Sequence, residues 1–167
     1  MPHGFDFATQ NLSESVRSIP APSYLTEGGL VKIRKLLDEA NVPVDLDLSQ
    51  ATGLTYIAPG AFIDCIFLNS VKLPSSVTEI GKFAFESTNL TEVTIPAGVT
   101  TIRVGAFFYC AKLTKVTFQK TDGWCTKTDL YNEDELPAPI DVSKPEDNAT
   151  NLKDSAGLWY GMHLIRK

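Results

Sequence analysis

The sequence predicts an α/β protein: an open solenoid with a short parallel sheet on one face, an N-terminal helical cap and a mixed C-terminal cap. Three observations predict this fold. A set of residues recurs every 22 or 23 positions, a short alternating segment recurs between its copies, and the flanks do not repeat. The predicted organisation is a loose N-terminal segment (1–25), a helical cap (26–43), a solenoid of about four turns (44–120) and a C-terminal cap (121–167).

One part of the repeat holds an isoleucine, an alanine and a phenylalanine that recur in step. The isoleucines are Ile57, Ile80 and Ile102. The phenylalanines, each preceded by alanine, are Phe62, Phe85 and Phe107. Because stacked units place equivalent residues above one another, we expect the phenyl rings to form a column in the interior.

The other part of the repeat alternates apolar and polar residues. Val71 and Leu73, for example, flank Lys72, which is the pattern of a strand with one buried face. Pro74 ends this strand because proline cannot donate to a ladder. One unit cannot bury its apolar side alone, so stacked units are expected to share a core and to align their strands in parallel. The copies span residues 68–74, 90–96 and 113–118, after a degenerate copy at 44–48.

Together these residues resemble the BspA-like, or treponemal-type, leucine-rich repeat, with the pattern L-x-x-V-x-I-P-x-x-V-T-x-I-G-x-x-A-F-x-x-C. The chain carries it at residues 68–88 and 90–110, with a partial unit from Leu113. The resemblance covers about half of the chain and implies an open leucine-rich-repeat solenoid. It also implies bacterial surface or secreted proteins that act in adhesion and protein binding.

Two positions depart from that pattern. Thr88 stands where Cys65 and Cys110 stand in the other copies, and Arg103 replaces the glycine seen at Gly81. Neither change removes an apolar anchor, so the fold prediction is unaffected.

The flanks read as caps. Residues 1–22 lack periodicity, whereas residues 26–40 place apolar side chains on one helical face. Thr26 is the predicted N-cap of that helix, and Asn41 with Pro43 is expected to end it.

The C-terminal flank predicts a short helix and a strand. Ser143 and Glu146 have the spacing of a capping box, with Ala149 and Leu152 on the inner face of the helix that follows. Residues 159–165 look strand-like. We expect residues 121–167 to cover the last repeat and blunt the edge of its sheet.

Charge and hydropathy exclude several functional classes. Residues 121–154 hold nine acids against three lysines and net −6, while the whole chain nets −5. No basic stripe is available to neutralise phosphates, which argues against nucleic acids and anionic membranes as partners. No apolar run approaches the roughly 20 residues of a membrane span, and no signal-peptide pattern opens the chain.

The sequence offers little chemistry for a metal, cofactor or catalytic site. His3 and His163 are far apart, and neither Cys-x-x-Cys nor His-x-x-x-His occurs, so we expect no metal and no cofactor. Cys65 and Cys110 share a column two repeats apart, roughly 10 Å, which predicts free, buried thiols. The acidic run at 133–135 lacks the ligand spacing of a calcium loop and is better explained as a solvated loop.

The outward face of the sheet carries the candidate binding residues. The alternation predicts two outward columns, and neighbouring strands should set Asp47 beside Lys72 and Glu92 beside Lys115. Such charges can serve only solubility and weak cross-strand ion pairs, or they can line a concave binding surface. The candidates are Asp45, Asp47, Lys72, Glu92, Thr94, Lys115 and Thr117.

The resulting expectation is a non-catalytic protein-binding module. By resemblance it is a bacterial surface or secreted adhesion-type protein, with a host extracellular-matrix or surface protein as its partner. An intracellular or periplasmic interaction scaffold is the alternative. A hydrolase using acids of the C-terminal segment ranks third, since only Trp124, Tyr131 and Trp159 could supply aromatic platforms for a sugar there.

Overall fold

The computed structural model describes residues 17–20, 25, 27–39, 41–128, 132, 137–154, 159 and 161–167, without the side chains of 17–20 and 27. The helices in this part of the chain are α1 (Glu27–Glu39) and α2 (Pro145–Lys153). The first six strands are β1 (Arg17–Pro20), β2 (Val44–Asp47), β3 (Tyr56–Ile57), β4 (Leu68–Lys72), β5 (Glu79–Ile80) and β6 (Glu92–Ile95). The remaining strands are β7 (Thr101–Ile102), β8 (Lys115–Phe118), β9 (Trp124–Lys127), β10 (Ala138–Pro139) and β11 (His163–Arg166).

The strands form two sheets on opposite sides of a shared core. The first sheet has the order β1-β2-β4-β6-β8, and every neighbouring pair in it is parallel. The second has the order β10-β9-β11-β7-β5-β3, parallel from β3 to β7 and antiparallel beyond. Each coil gives one strand to each sheet, so the prediction of a solenoid with a parallel sheet on one face is confirmed.

The predicted phenylalanine column is present in the core. The ring of Phe85 stacks on that of Phe62, with centroids 5.2 Å apart and planes 9° from parallel. Its other face stacks on Phe107 at 5.3 Å and 5°. All three side chains are fully buried. Equivalent residues of successive coils therefore stack in register, as the 22–23 residue spacing predicts.

Left-handed residues recur where the chain turns between the two sheets. Gly60, Phe83 and Gly105 occupy equivalent positions and all have positive φ, with Phe83 at 57°. A Cβ on Gly105 would lie 2.3 Å from a carbon of the Phe83 ring. Glycine suits position 105 for two reasons: the backbone there is left-handed, and the nearby Phe83 ring leaves no room for a side chain. A second such column consists of Asp64, Ser87 and Tyr109.

Helix α1 packs against the first coil. Leu30, Ile33 and Leu37 are buried in the common core, while the Arg34 guanidinium donates to the Gly60 carbonyl at 3.0 Å. The chain leaves the helix through Asn41, whose φ of 51° ends the helical path. The predicted N-cap, residue 26, and residue 40 lie outside the described residues.

The expectation that residues 1–25 are loose is wrong for residues 17–20. These residues form β1 and pair in parallel with β2, from Arg17 beside Val44 to Pro20 beside Asp47. An edge strand pairs through its backbone on one side only, so it needs no apolar alternation to form. That is why periodicity does not reveal it. Residues 1–16 and 21–24 lie outside the described residues.

Helix α2 packs on β8, the last strand of the first sheet. Asn148 is fully buried and its amide donates to the carbonyls of Val116 and Val142, at 2.9 Å each. A side chain thereby occupies an edge position that another strand would otherwise take. Helix α2 therefore lies along the outer edge of the last strand of this sheet.

The predicted capping box at the start of α2 is wrong. The helix begins at Pro145, and its N-cap residue Lys144 makes no side-chain capping bond. The Ser143 N–H instead donates to the Asp141 carboxylate at 2.8 Å, in the turn before the helix. Proline suits the first helical position because its missing N–H would have no intrahelical partner there.

The C-terminal strand lies inside the second sheet. β11 lies antiparallel between β7 and β9, four residues of it pairing with β9. The strand covers only the second half of the predicted 159–165 segment, and buried Trp159 precedes it in a turn. Trp124 packs edge-on against Phe118, 4.9 Å between ring centroids. None of the described helices has the length and apolar character needed to cross a lipid bilayer.

Candidate functional site

The candidate residues lie on the outer face of the first sheet. Their register is the predicted one: Asp45 lies beside Ser70 and Asp47 beside Lys72 across β2 and β4. Across β6 and β8 the partners are Glu92 with Lys115 and Thr94 with Thr117. The side chains of each strand alternate between core and solvent, so the two outward columns form as expected.

A groove of about 540 Å³ runs over this face. Five of the seven candidates line it, whereas Asp45 and Asp47 do not. The five are Lys72, Glu92, Thr94, Lys115 and Thr117.

Sequence reasoning missed further polar residues of the groove. Ser49, Ser75 and Gln119 also line it, each just past the end of a strand. If the alternation of inward and outward side chains is continued for two residues past Asp47 and Thr117, it places Ser49 and Gln119 on the outer face. For Ser75 the same rule fails, because Pro74 ends the strand and interrupts the alternation before it.

The two aspartates on β2 are engaged within the protein. The Asp45 carboxylate accepts hydrogen bonds from Ser70 at 2.7 Å and Asn69 at 2.9 Å. Asp47 accepts the Ser49 N–H at 2.9 Å and pairs with the Lys72 ammonium at 3.1 Å. Hydrogen bonds from Ser49, with a smaller contribution from Lys72, hold the pKa of the Asp47 carboxyl below its ordinary value.

The second expected ion pair is absent. Glu92 and Lys115 are direct neighbours across β6 and β8 and both are exposed, yet in the described part of the chain their charged groups form no ion pair. At an exposed site the attraction between two such charges is about 0–1 kcal/mol, comparable to the entropy lost when two long side chains are fixed. Strand register alone therefore does not determine whether two opposite charges on neighbouring strands form an ion pair.

Comparison with known proteins identifies the repeat. Residues 46–129, half of the chain, match a family model described as "BspA type Leucine rich repeat region (6 copies)". The chain belongs to the BspA-type leucine-rich-repeat family. The groove thus lies on the parallel sheet of a BspA-type solenoid.

One solved structure similar to this BspA-type chain is a leucine-rich cell surface protein from Faecalibacterium prausnitzii A2-165. It is 33% identical over 51% of this chain, with a TM-score of 0.42. The match covers 26% of that protein, so the matched half of this chain spans about a quarter of its length. A comparison with curated proteins gave no match.

The cysteines of the BspA-type repeats are free and buried, as predicted. Burial, with a further contribution from Asp38, raises the pKa of the Cys65 thiol to about 12. Burial likewise raises the pKa of Cys110, whose sulfur lies 3.2 Å from the Thr88 hydroxyl of the same column. Since the thiolate is the nucleophile, thiols held protonated at neutral pH are poorly suited to catalysis.

No group of three or more His, Cys, Asp or Glu side chains suited to a metal ion occurs among the residues that the structure describes. His163 lies on β11, where its Nδ1 accepts the Val104 N–H at 3.2 Å. The acidic run at 133–135 and residue 131 lie outside the described residues.

A second, smaller cavity of about 180 Å³ lies between the repeats and the C-terminal cap of this BspA-type protein. Its described lining is mainly apolar and includes Phe83, Phe108 and Trp159, and no carboxylate lines it within that set. Trp124, the other described aromatic named for a sugar platform, packs in the core instead. The described lining offers no pair of carboxylates for glycoside chemistry.

Proposed function

We propose that the outer face of the five-stranded sheet is a protein-binding surface. The observation that carries this proposal is the groove of about 540 Å³ over β4, β6 and β8. Solenoid proteins present extended surfaces of this kind, and a parallel sheet holds the side chains on a rigid support.

We infer a non-catalytic role for this surface. Its polar side chains are threonine and serine hydroxyls, one amide and single charges, without a buried base beside any nucleophile. The thiols of the repeats are held in their protonated form. These features suit reversible recognition better than covalent chemistry.

Membership of the BspA-type family supports a role in protein interaction. We propose that the protein is a surface or secreted bacterial protein that acts in adhesion, with a host extracellular-matrix or surface protein as its partner. An intracellular or periplasmic scaffold would use the same face with another partner. Fractionation of the native cells, with antibody detection of the full-length protein, separates these roles. Detection on intact cells supports adhesion, whereas a protease-protected cytoplasmic or periplasmic pool supports the scaffold.

The binding face is tested by filling the groove. The double variant Thr94→Arg/Thr117→Arg places two bulky cations on its floor. The matched control, Thr91→Arg/Ala111→Arg, adds the same charge at two exposed positions outside the groove lining. Each immobilised protein is exposed to purified matrix proteins and to a bacterial surface extract.

We expect wild type and control to capture the same partner, and the groove-filled variant to lose at least nine-tenths of that capture. Circular dichroism and thermal melting establish that all three proteins are folded. Equal capture by the groove-filled variant would place binding elsewhere, and the search would move to the acidic residues of the C-terminal segment.

A further inference from the structure

The charges around the groove fall into two sets with different surroundings. On the β2–β4 side, Lys72 is paired with Asp47, and Asp45 is held by Ser70 and Asn69. On the β6–β8 side, Glu92 and Lys115 have neither an ion pair nor a side-chain hydrogen bond within the described residues. The hydroxyls of Thr94 and Thr117, two residues further along the same strands, likewise make no hydrogen bond within the described residues.

This division determines on which side of the groove a partner gains the most binding free energy. A ligand that binds Lys72 must compete with Asp47, whose oxygen is already 3.1 Å from the ammonium. A ligand that binds Glu92 or Lys115 displaces only water from groups that make no internal contact. Contacts on the β6–β8 side therefore cost less to form than contacts on the β2–β4 side.

The order of the charges across the sheet restricts the partner further. Strand β6 lies between β4 and β8, so Glu92 lies in the strand between those that carry Lys72 and Lys115. A uniformly acidic segment would meet Glu92 at the centre of the groove, and a uniformly basic one would meet the two lysines. A segment that carries both signs avoids either repulsion.

We propose that the β6–β8 half of the groove binds an extended protein segment that presents a basic and an acidic side chain two residues apart. In an extended strand such residues lie about 6.6–6.8 Å apart on one face, within reach of flexible side chains on strands about 4.8 Å apart. The basic group pairs with Glu92, the acidic group pairs with Lys115, and the hydroxyls of Thr94 and Thr117 bond to polar groups between them. This inference rests on the sheet face being the binding surface.

The test uses three synthetic eight-residue peptides and the full chain labelled with ¹⁵N. One peptide alternates threonine with lysine and glutamate in turn, the second replaces each lysine by glutamate, and the third replaces each glutamate by lysine. Amide shifts report where each peptide binds and with what Kd. We expect the mixed peptide to move amides of residues 92–95 and 115–118 and to bind more tightly than either uniform peptide.

Charge-reversal variants then show which side chains of the protein pair with the charges of the peptide. Glu92→Lys and Lys115→Glu should each raise the Kd of the mixed peptide about fivefold or more, the effect of losing one solvent-exposed ion pair and adding a repulsion. Lys112→Glu is the matched control, because it makes the same charge change at an exposed lysine outside the groove. It should leave the Kd within about twofold.

Three results would overturn the inference: tighter binding of a uniformly charged peptide, shifts centred on β2 and β4, or no shift in β6 and β8 with the mixed peptide. None of them touches the broader proposal, which fails only when a captured partner ignores the arginine-filled groove.

Discussion

The rings of Phe85 and Phe107 lie nearly parallel in the core, with centroids 5.3 Å apart and planes 5° from each other. Phe62 stacks on the opposite face of Phe85 at 5.2 Å. The middle ring therefore contacts the coil before it and the coil after it, and the column runs through three successive coils.

Replacing Phe85 with alanine should lower the free energy of unfolding by about 3–5 kcal/mol, the usual cost of removing a core phenylalanine. Unfolding should stay cooperative, because each coil is stabilised by its neighbours. Chemical denaturation monitored by circular dichroism measures both. Tyr109→Ala is the control: it also removes an aromatic ring, but from a side chain that is 61% exposed, and should cost about 1 kcal/mol or less. A Phe85→Ala variant with wild-type stability would contradict the role of the column.

Asn148 is the second target, because it connects α2 to the edge of the first sheet. Its replacement by alanine leaves the buried carbonyls of Val116 and Val142 without their donor. We expect a loss of about 2–3 kcal/mol, moderated because the Asn148 side-chain oxygen has no partner among the described residues. Thr150→Ala, an exposed change in the same helix, should cost under about 0.5 kcal/mol. Equal melting temperatures for both variants would show that these two bonds do not hold α2 on β8.

The repeat explains which features could be predicted from the sequence. Register, core columns and the outward face all follow from period-two alternation locked to a 22–23 residue spacing, since a shift by one residue would bury Lys72 instead of Val71. The groove lining from Lys72 to Thr117 follows from the same rule. Structural features that have no periodic sequence pattern could not be predicted in this way.

Three such features show the limit. β1 forms through backbone pairing at an edge, which leaves no side-chain pattern. The start of α2 depends on a turn in which Ser143 bonds back to Asp141, so its spacing to Glu146 is misleading. Whether Glu92 and Lys115 pair is decided by side-chain entropy and solvent rather than by register.

Cys65 should make stability depend on pH in the alkaline range. Its thiol has a pKa of about 12 in the folded protein, against 9.0 when unperturbed. Below pH 9 the thiol is protonated in both states, so its contribution is fully present. As the pH rises from 9 toward 12 the unfolded chain loses the proton first, and that contribution is lost.

Cys65→Thr provides the comparison, because Thr88 already occupies the equivalent position of the next coil. Denaturation at pH 8 and pH 11 should show a smaller loss of stability for Cys65→Thr than for wild type. Every other side chain is the same in the two proteins, so the difference isolates the thiol. Identical losses would mean that the folded protein does not hold this thiol protonated.

The last prediction tests the difference between the paired and unpaired lysines of the groove. Lys72→Met removes the ammonium that lies 3.1 Å from the Asp47 carboxylate and should lower the free energy of unfolding by about 0.5–1 kcal/mol. Lys115→Met and Lys112→Met remove exposed ammoniums that have no ion pair in the described chain, and each should cost under about 0.3 kcal/mol. In 1 M salt, where screening acts within about 3 Å, all three variants should converge on wild type. If Lys115→Met costs as much as Lys72→Met at low salt, Lys115 pairs with Glu92 in solution. A partner would then have to break that pair first, which would remove the reason for preferring the β6–β8 half of the groove.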